Sequence, residues 1–324
     1  MILEGREQKR RLLLRLKGIE TGQALIGPSI VHFHLTDLCN LRCQYCWHYG
    51  PDNAHKPDGK DHLPMDVFEK VIHDCAQLQV DDIYLSGIGD PMLHPRFYDI
   101  LKLLENSFTT TIYSNATFPL ERCRDILRAD RIIINLGAPD REHYRVLQGR
   151  DLFLRVIKNI RELARLRDRL KPDFRIEVVM VVTRLNEKGL SATESLVRKL
   201  GADSVDKKVF QPSDHNRHIM PSGQPLAEKV SGPWPACYHG WFYSAIQLNG
   251  DVNVCTFMQR VNLGNVFTGS FKDIWASPGY VRARLAALTG DPFKHYHECI
   301  NCPAARRNQK ISAQWETYHQ LLKV

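Results

Sequence analysis

"SIVHFHLTDLCNLRCQYC", residues 29 to 46, joins a short β-branched and aromatic run to three cysteines set within eight residues. A run of that length and composition has the character of a strand, and its period of two places His32 and His34 on one face. Cys39, Cys43 and Cys46 follow directly, with C-x3-C-x2-C spacing. Taken alone they suit buried core residues, disulfide partners, zinc ligands or iron ligands, and each role makes a different demand on the rest of the chain.

Working outward from that strand, β-branched runs alternate with helical stretches. The spacing predicts strands at "SIVHFHL" (29–35), "DIYLSGI" (82–88), "TTTIYSN" (109–115), "RIIINLG" (131–137), "FRIEVVMVV" (174–182) and "SVDKKVF" (204–210). Helices are expected over 65–79, 95–106, 119–128, 140–147, 151–169 and 190–200. The pattern is α/β, repeated βα units around a parallel sheet, and six units build a partial (β/α)6 TIM barrel rather than a closed one. Such barrels place chemistry at the C-terminal ends of their strands, and the cysteines sit at the end of the first.

The expected organisation is an N-terminal helix over 1–28, a barrel over 29–212 and a Pro-, Ser- and Gly-rich linker over 213–236. A small C-terminal domain of β-hairpin plus helix follows over 237–305, then a C-terminal helix over 306–324. "WFYSAIQLNGDVNVC" (241–255) is the hairpin, turning at Asn249-Gly250-Asp251.

A 43% hydrophobic content over 324 residues supports one or two buried cores. No segment has the apolar length of a membrane span, and the basic N-terminus lacks the pattern of a secretory signal. A cytoplasmic, reducing compartment is therefore expected, where cysteines ligate metals or react more often than they cross-link. The net charge of +8 raises the question of nucleic acid. Its residues are dispersed, with "KRRLLLRLK" (9–17) and "ELARLRDRLK" (162–171) reading as solvated helix faces, so a nucleic-acid partner is not expected.

The nine cysteines form three sets. Cys75 and Cys123 stand alone on helices and read as packing residues. Cys39, Cys43 and Cys46 offer three thiolates, with His48 as a fourth ligand for zinc, or three corners of a cubane that leaves one iron open. Cys237, Cys255, Cys299 and Cys302 offer four, suited either to a closed cubane or to a structural zinc site.

C-x3-C-x2-C with an aromatic, Tyr45, before the last cysteine, placed after the first strand of a βα array, resembles the radical S-adenosylmethionine (SAM) superfamily. The resemblance implies a [4Fe–4S] cluster on Cys39, Cys43 and Cys46 whose open iron chelates SAM, with Tyr45 near the adenine. Further segments agree in order. Gly89 and Asp90, in "SGIGDP", occupy places of a Gly-Gly-Glu stretch that contacts the SAM amino group, with Ile88 departing from its first glycine. Ser114, Asn115 and Asn135 resemble polar contacts to the ribose and methionine parts, and Thr183 and Arg184 end the fifth strand, Arg184 as a carboxylate clamp. The C-terminal cysteines, with Gly250 between Cys237 and Cys255, resemble the short "twitch" form of the SPASM extension, which implies one auxiliary [4Fe–4S] cluster held by Cys237, Cys255, Cys299 and Cys302.

The implied activity is hydrogen-atom abstraction by a 5′-deoxyadenosyl radical, with the auxiliary cluster accepting a second electron in a net oxidation. The implied substrate is a small molecule such as a sugar or aminocyclitol, and the reductant a flavodoxin or ferredoxin. Only about 28 residues precede the first strand, few for a leader-recognition domain of ordinary size. A peptide-modifying maturase is therefore the runner-up, and a zinc-binding, nucleic-acid-associated protein is the alternative from another class. His34 and Arg184 are the expected catalytic contacts, with His32, His48, Tyr113 and Gln211 as further polar candidates.

Overall fold

A computed structural model describes residues 2–212, 216–223, 236–256 and 261–289. The expected linker lies mostly outside them, and Cys299, Cys302 and the expected C-terminal helix wholly so. The chain divides into two compact units: residues 1–32, 64–82 and 225–324 form the first, and 33–63 and 83–224 the second. The boundary runs through the first two strands.

The elements are, in chain order, α1 (Ile2–Thr21), β1 (Ile30–His34), α2 (Met65–Gln77), β2 (Asp82–Ser86), α3 (Phe97–Leu104), β3 (Thr109–Ser114), α4 (Cys123–Ile126), β4 (Arg131–Asn135), α5 (Arg141–Gln148), α6 (Phe153–Leu170), β5 (Arg175–Val182), α7 (Leu190–Lys199) and β6 (Ser204–Val209). Then come α8 (His239–Phe242), β7 (Tyr243–Ile246), β8 (Val252–Asn253), α9 (Phe271–Ala276) and α10 (Pro278–Thr289).

In the second unit the strands follow the order β6-β5-β4-β3-β2-β1. β3–β4, β4–β5 and β5–β6 pair in parallel, with Tyr113 opposite Ile133, Asn135 opposite Val179, and Val182 opposite Val209. The sheet is open, with β6 at an edge, as six βα units require. Period-two alternation explains its two faces. Ile83, Leu85, Ile112, Ile132, Ile134, Ile176, Val178 and Met180 are wholly buried, as are the apolar stripes of α3 (Phe97, Ile100) and α6 (Val156, Ile160, Leu163). Tyr84, Ser86, Tyr113, Asn135, Val179 and Val181 alternate with them and are only half-buried.

In the first unit β7 and β8 pair antiparallel, Ala245 opposite Asn253, and Gly250 turns between them at φ +82°. The expected hairpin starts later than its sequence suggests, because Trp241 and Phe242 belong to the short helix α8. Trp241 and Tyr238 form a core with Leu16 and Ile19 of α1. The reading of 9–17 as a solvated face needs correction at Arg15. That side chain is only 3% exposed and pairs with Asp81 at 2.6 Å while donating to the Gly27 carbonyl at 2.9 Å. An arginine so placed fits because its fork meets a carboxylate and a carbonyl together.

Candidate functional site

The cysteine loop is gripped on two sides by elements of its own unit. On one side the backbone N–H groups of Gly89 and Asp90 donate to the Thr36 and Leu38 carbonyls at 3.0 and 2.9 Å. A Cβ at Gly89 would lie 2.0 Å from the Leu38 oxygen, and one at Gly87 2.5 Å from that of Thr36, so glycine is required for this approach. On the other side Arg42 and Gln44 donate from their backbones to the carbonyls of Gln148 and Leu147 at 3.0 and 2.9 Å. These are terminal carbonyls of α5, which lack partners within the helix, so the cysteine loop itself caps it. Gly149 ends α5 in the left-handed region at φ +71°.

Within that grip Cys46 N–H donates to the Cys43 carbonyl at 3.0 Å, and Tyr49 N–H donates to the Cys46 sulfur at 3.2 Å. Burial pushes the Cys39 thiol up to about 12, with Asp90 and Cys46 adding to the rise. Burial also holds the Cys43 thiol well above its ordinary range, reinforced by Cys46 and Cys39. The three thiols sit on one eight-residue loop, each half-buried. Arg42 lies beside them, its guanidinium 4.6 Å from the Tyr49 ring centroid and bonded to the Cys39 carbonyl at 2.9 Å.

Among the described residues no three His, Cys, Asp or Glu side chains close around a single metal ion. A cubane asks for something else, since each thiolate takes a different iron and the sulfurs must stand apart at its corners. Three half-buried soft donors on one loop fit that demand.

The strand ends around the loop are locked together. Asp90 accepts from Met92 N–H at 3.0 Å, Ser114 Oγ at 2.9 Å and Asn115 N–H at 2.7 Å. Its carboxyl is raised from the ordinary range by burial, against the lowering effect of those donors. Asn115 reaches Asn40 of the cysteine loop at 2.9 Å. The next residue, Ala116, holds φ +57° while fully buried, with its carbonyl gripped by Asn159 at 2.9 Å. A left-handed alanine held this way is strain kept next to a candidate site.

Tyr45 Oη bonds Asn135 Oδ1 and Gln148 Oε1, each at 2.9 Å, so its ring is anchored between β4 and α5. Thr183 is wholly buried and turns inward to Asn186 at 3.1 Å. Arg184 is exposed and donates from Nε to the Met220 carbonyl at 3.2 Å. His34 is buried at the end of β1, and Tyr113 lies 5.7 Å from Tyr84, centroid to centroid. The backbones of His48 and Gln211 accept from Asn53 and Trp47. Sequence reasoning did not single out Gln148, Tyr144, Asn40 or Gly149. Only Gly149 carried a signal, as a glycine following a helix.

In the first unit His32 bonds Tyr243. Cys237 and Cys255 are half-buried; Cys237 N–H donates to the Ala287 carbonyl at 2.9 Å, and Cys255 follows β8 by two residues.

Two family models match the chain. That of the radical SAM superfamily covers residues 33–189, and SPASM, an iron-sulfur cluster-binding domain, covers 237–303. The chain belongs to the radical SAM superfamily. The site just described lies within the first matched region, so this radical SAM protein uses SAM and iron–sulfur chemistry. The tungsten-containing aldehyde ferredoxin oxidoreductase cofactor-modifying protein of Pyrococcus furiosus is 27% identical over 318 residues, spanning 84% of this chain and 86% of that one. Among solved structures, SuiB of Streptococcus suis bound to SAM aligns at a TM-score of 0.64 and 16% identity over 83% of this chain and 70% of its own. BtrN in complex with AdoMet and 2-DOIA aligns at 0.52 and 16%, over 85% and 93%. At these identities the likeness to solved structures is one of fold. Among the described residues no helix is long and apolar enough to cross a membrane.

Proposed function

We propose that this radical SAM enzyme is an oxidoreductase acting on a small polar molecule. The observation that carries the reading is the half-buried face of β2, β3 and β4, where Tyr84 and Tyr113 pair beside Ser86 and Asn135. Phenol, hydroxyl and amide groups there supply neutral donors and acceptors suited to a polyhydroxylated or heterocyclic ligand. The cofactor-modifying relative, matched over most of both chains, supports a small-molecule substrate.

Cys39, Cys43 and Cys46 would hold a [4Fe–4S] cluster with SAM on its open iron, and Cys237, Cys255, Cys299 and Cys302 an auxiliary one. Bound together, the first cluster and SAM supply one-electron cleavage of the C5′–S bond and a carbon radical able to take a substrate hydrogen atom. Tyr45 holds the adenine side of that site. Gly89 and Asp90 would line its amino-group side, Ser114, Asn115 and Asn135 its polar floor, and Arg184, on the turn held by Thr183, would be the clamp for the SAM carboxylate. His34, buried at the end of β1, would be the residue to accept a proton from substrate, and an auxiliary cluster, when bound, would supply capacity for the second electron of a net oxidation. A flavodoxin or ferredoxin supplies the first.

Anaerobic reconstitution tests the cofactor part, with about eight irons per chain expected for two cubanes. Incubation with SAM, reductant and deuterated small molecules should carry deuterium into 5′-deoxyadenosine. Deuterium arriving only from a peptide overturns the small-molecule reading.

A further inference from the structure

The face of α5 turned toward the cysteine loop carries two polar groups that the folded chain leaves without partners. Gln148 is wholly buried; its Oε1 accepts from the Cys43 thiol and from Tyr45 Oη at 2.9 Å, while its Nε2 donates to nothing. Tyr144, one turn earlier, is also wholly buried, and its hydroxyl is unpartnered. Unmade hydrogen bonds inside a protein are costly and rare, so two on one helix face beside a ligand loop call for a cause. Tyr144 and Gln148 are four residues apart, so their side chains share the face of α5 that meets the cysteine loop through Gln148.

The cause lies in what Cys43 becomes when it binds iron. A ligating thiolate has no proton to give, so Gln148 Oε1 would then face a negative sulfur. Turning the amide by 180° exchanges its oxygen and nitrogen without changing its shape. Nε2 then donates to the Cys43 sulfur and to Tyr45 Oη, and Tyr45 keeps its own proton for Asn135 Oδ1, 2.9 Å away. Each donor in that chain has an acceptor, and the atom left over is a carbonyl oxygen, cheaper to leave unpaired than an N–H.

We propose that Gln148 and Tyr144 donate hydrogen bonds to the sulfurs of the cluster held by Cys39, Cys43 and Cys46, and so raise its reduction potential. This rests on the cluster assignment made above. Reduction adds negative charge that spreads onto the sulfurs, so donors aimed at them favour the reduced state. These are positioning residues that act through the cluster and touch no substrate.

The test is an EPR-monitored redox titration of the reconstituted protein, the Tyr144→Phe variant and the Gln148→Leu variant, with iron measured in each. Tyr144→Phe removes one unpartnered atom and keeps the packing. Both variants should retain full iron and shift the midpoint of the Cys43-dependent signal to more negative potential. Pulsed EPR in H2O against D2O should show exchangeable-proton couplings that weaken in each variant. Unchanged midpoints and couplings with intact iron overturn the inference and leave the cluster assignment standing. A cluster signal that survives Cys43→Ala overturns the assignment and the inference with it.

Discussion

Gly149 stands so close to the cysteine loop that a Cβ there would lie 2.4 Å from the Arg42 carbonyl oxygen and 2.8 Å from the Arg42 Cβ. Its backbone is also left-handed, at φ +71°. Gly149→Ala therefore strains the helix end and pushes the loop between Cys39 and Cys43 outward at once. A loss of about 2 kcal/mol of unfolding free energy is expected, together with reduced iron uptake at the first cluster. Urea unfolding and iron per chain after reconstitution check it. A variant with native stability and full iron would show that the loop yields without cost.

Arg284 is buried without a carboxylate among its bonds. It donates from Nε to the Gly240 carbonyl at 2.7 Å and from Nη2 to the Trp275 carbonyl at 2.8 Å, and it lies 4.0 and 4.2 Å from the Trp275 and Tyr280 ring centroids. Burial pulls its guanidinium down to about 10. Arg284→Met keeps the apolar volume but orphans two carbonyls and ends two cation–π contacts, for an expected loss of about 2–4 kcal/mol. Arg284→Lys should lose nearly as much, because a point charge cannot reproduce the planar fork between the rings. Equal stability of the lysine variant and the native chain, measured by thermal unfolding, would contradict this.

The barrel was legible because each of its strands announces itself locally, by β-branched runs between turn residues and by alternation that one buried face imposes. The six expected barrel strands match β1 to β6 to within two residues at each end. The site was half legible. Cys39, Cys43, Cys46 and Tyr45 share one short segment whose spacing is itself the signal. Gln148 meets Cys43 across 105 positions, and the expected helix ended at 147, one residue before it. Arg15 failed for the same physical reason: its partner Asp81 is 66 positions away, so a charge that reads as solvated in sequence is enclosed by the fold.

Asp140 caps α5, the helix that carries Tyr144 and Gln148. Its carboxylate accepts from the His143 N–H at 3.0 Å and the His143 ring at 2.8 Å, and these donors, the backbone N–H foremost, hold its carboxyl below the ordinary value of 3.8. A depressed carboxyl contributes stability that is present above the unfolded value and fades as pH falls through the folded one. Asp140→Ala should therefore cost about 1 kcal/mol at neutral pH, and the difference from native should shrink below about pH 4. Asp140→Asn, which keeps the accepting oxygen, should stay near native throughout. Urea midpoints of the three proteins across that range decide it.

Asp90, on the wall of the site, also holds the end of β3 in place. Three donors converge on its two oxygens, from Met92, Ser114 and Asn115. Asn at position 90 offers a single accepting oxygen, so its NH2 must face the N–H of either Met92 or Asn115. The expected cost of Asp90→Asn is about 1–3 kcal/mol, with weaker SAM binding because Ser114 and Asn115 lose their anchor. Ser114→Ala removes one donor and leaves both backbone bonds, so its stability loss should stay below about 1 kcal/mol, with a smaller loss of SAM affinity than Asp90→Asn. Equilibrium dialysis with labelled SAM, run beside urea unfolding, separates the two. If Asp90→Asn binds SAM as the native protein does while Ser114→Ala does not, the Ser114 hydroxyl itself makes the contact and the anchoring role assigned to Asp90 is wrong.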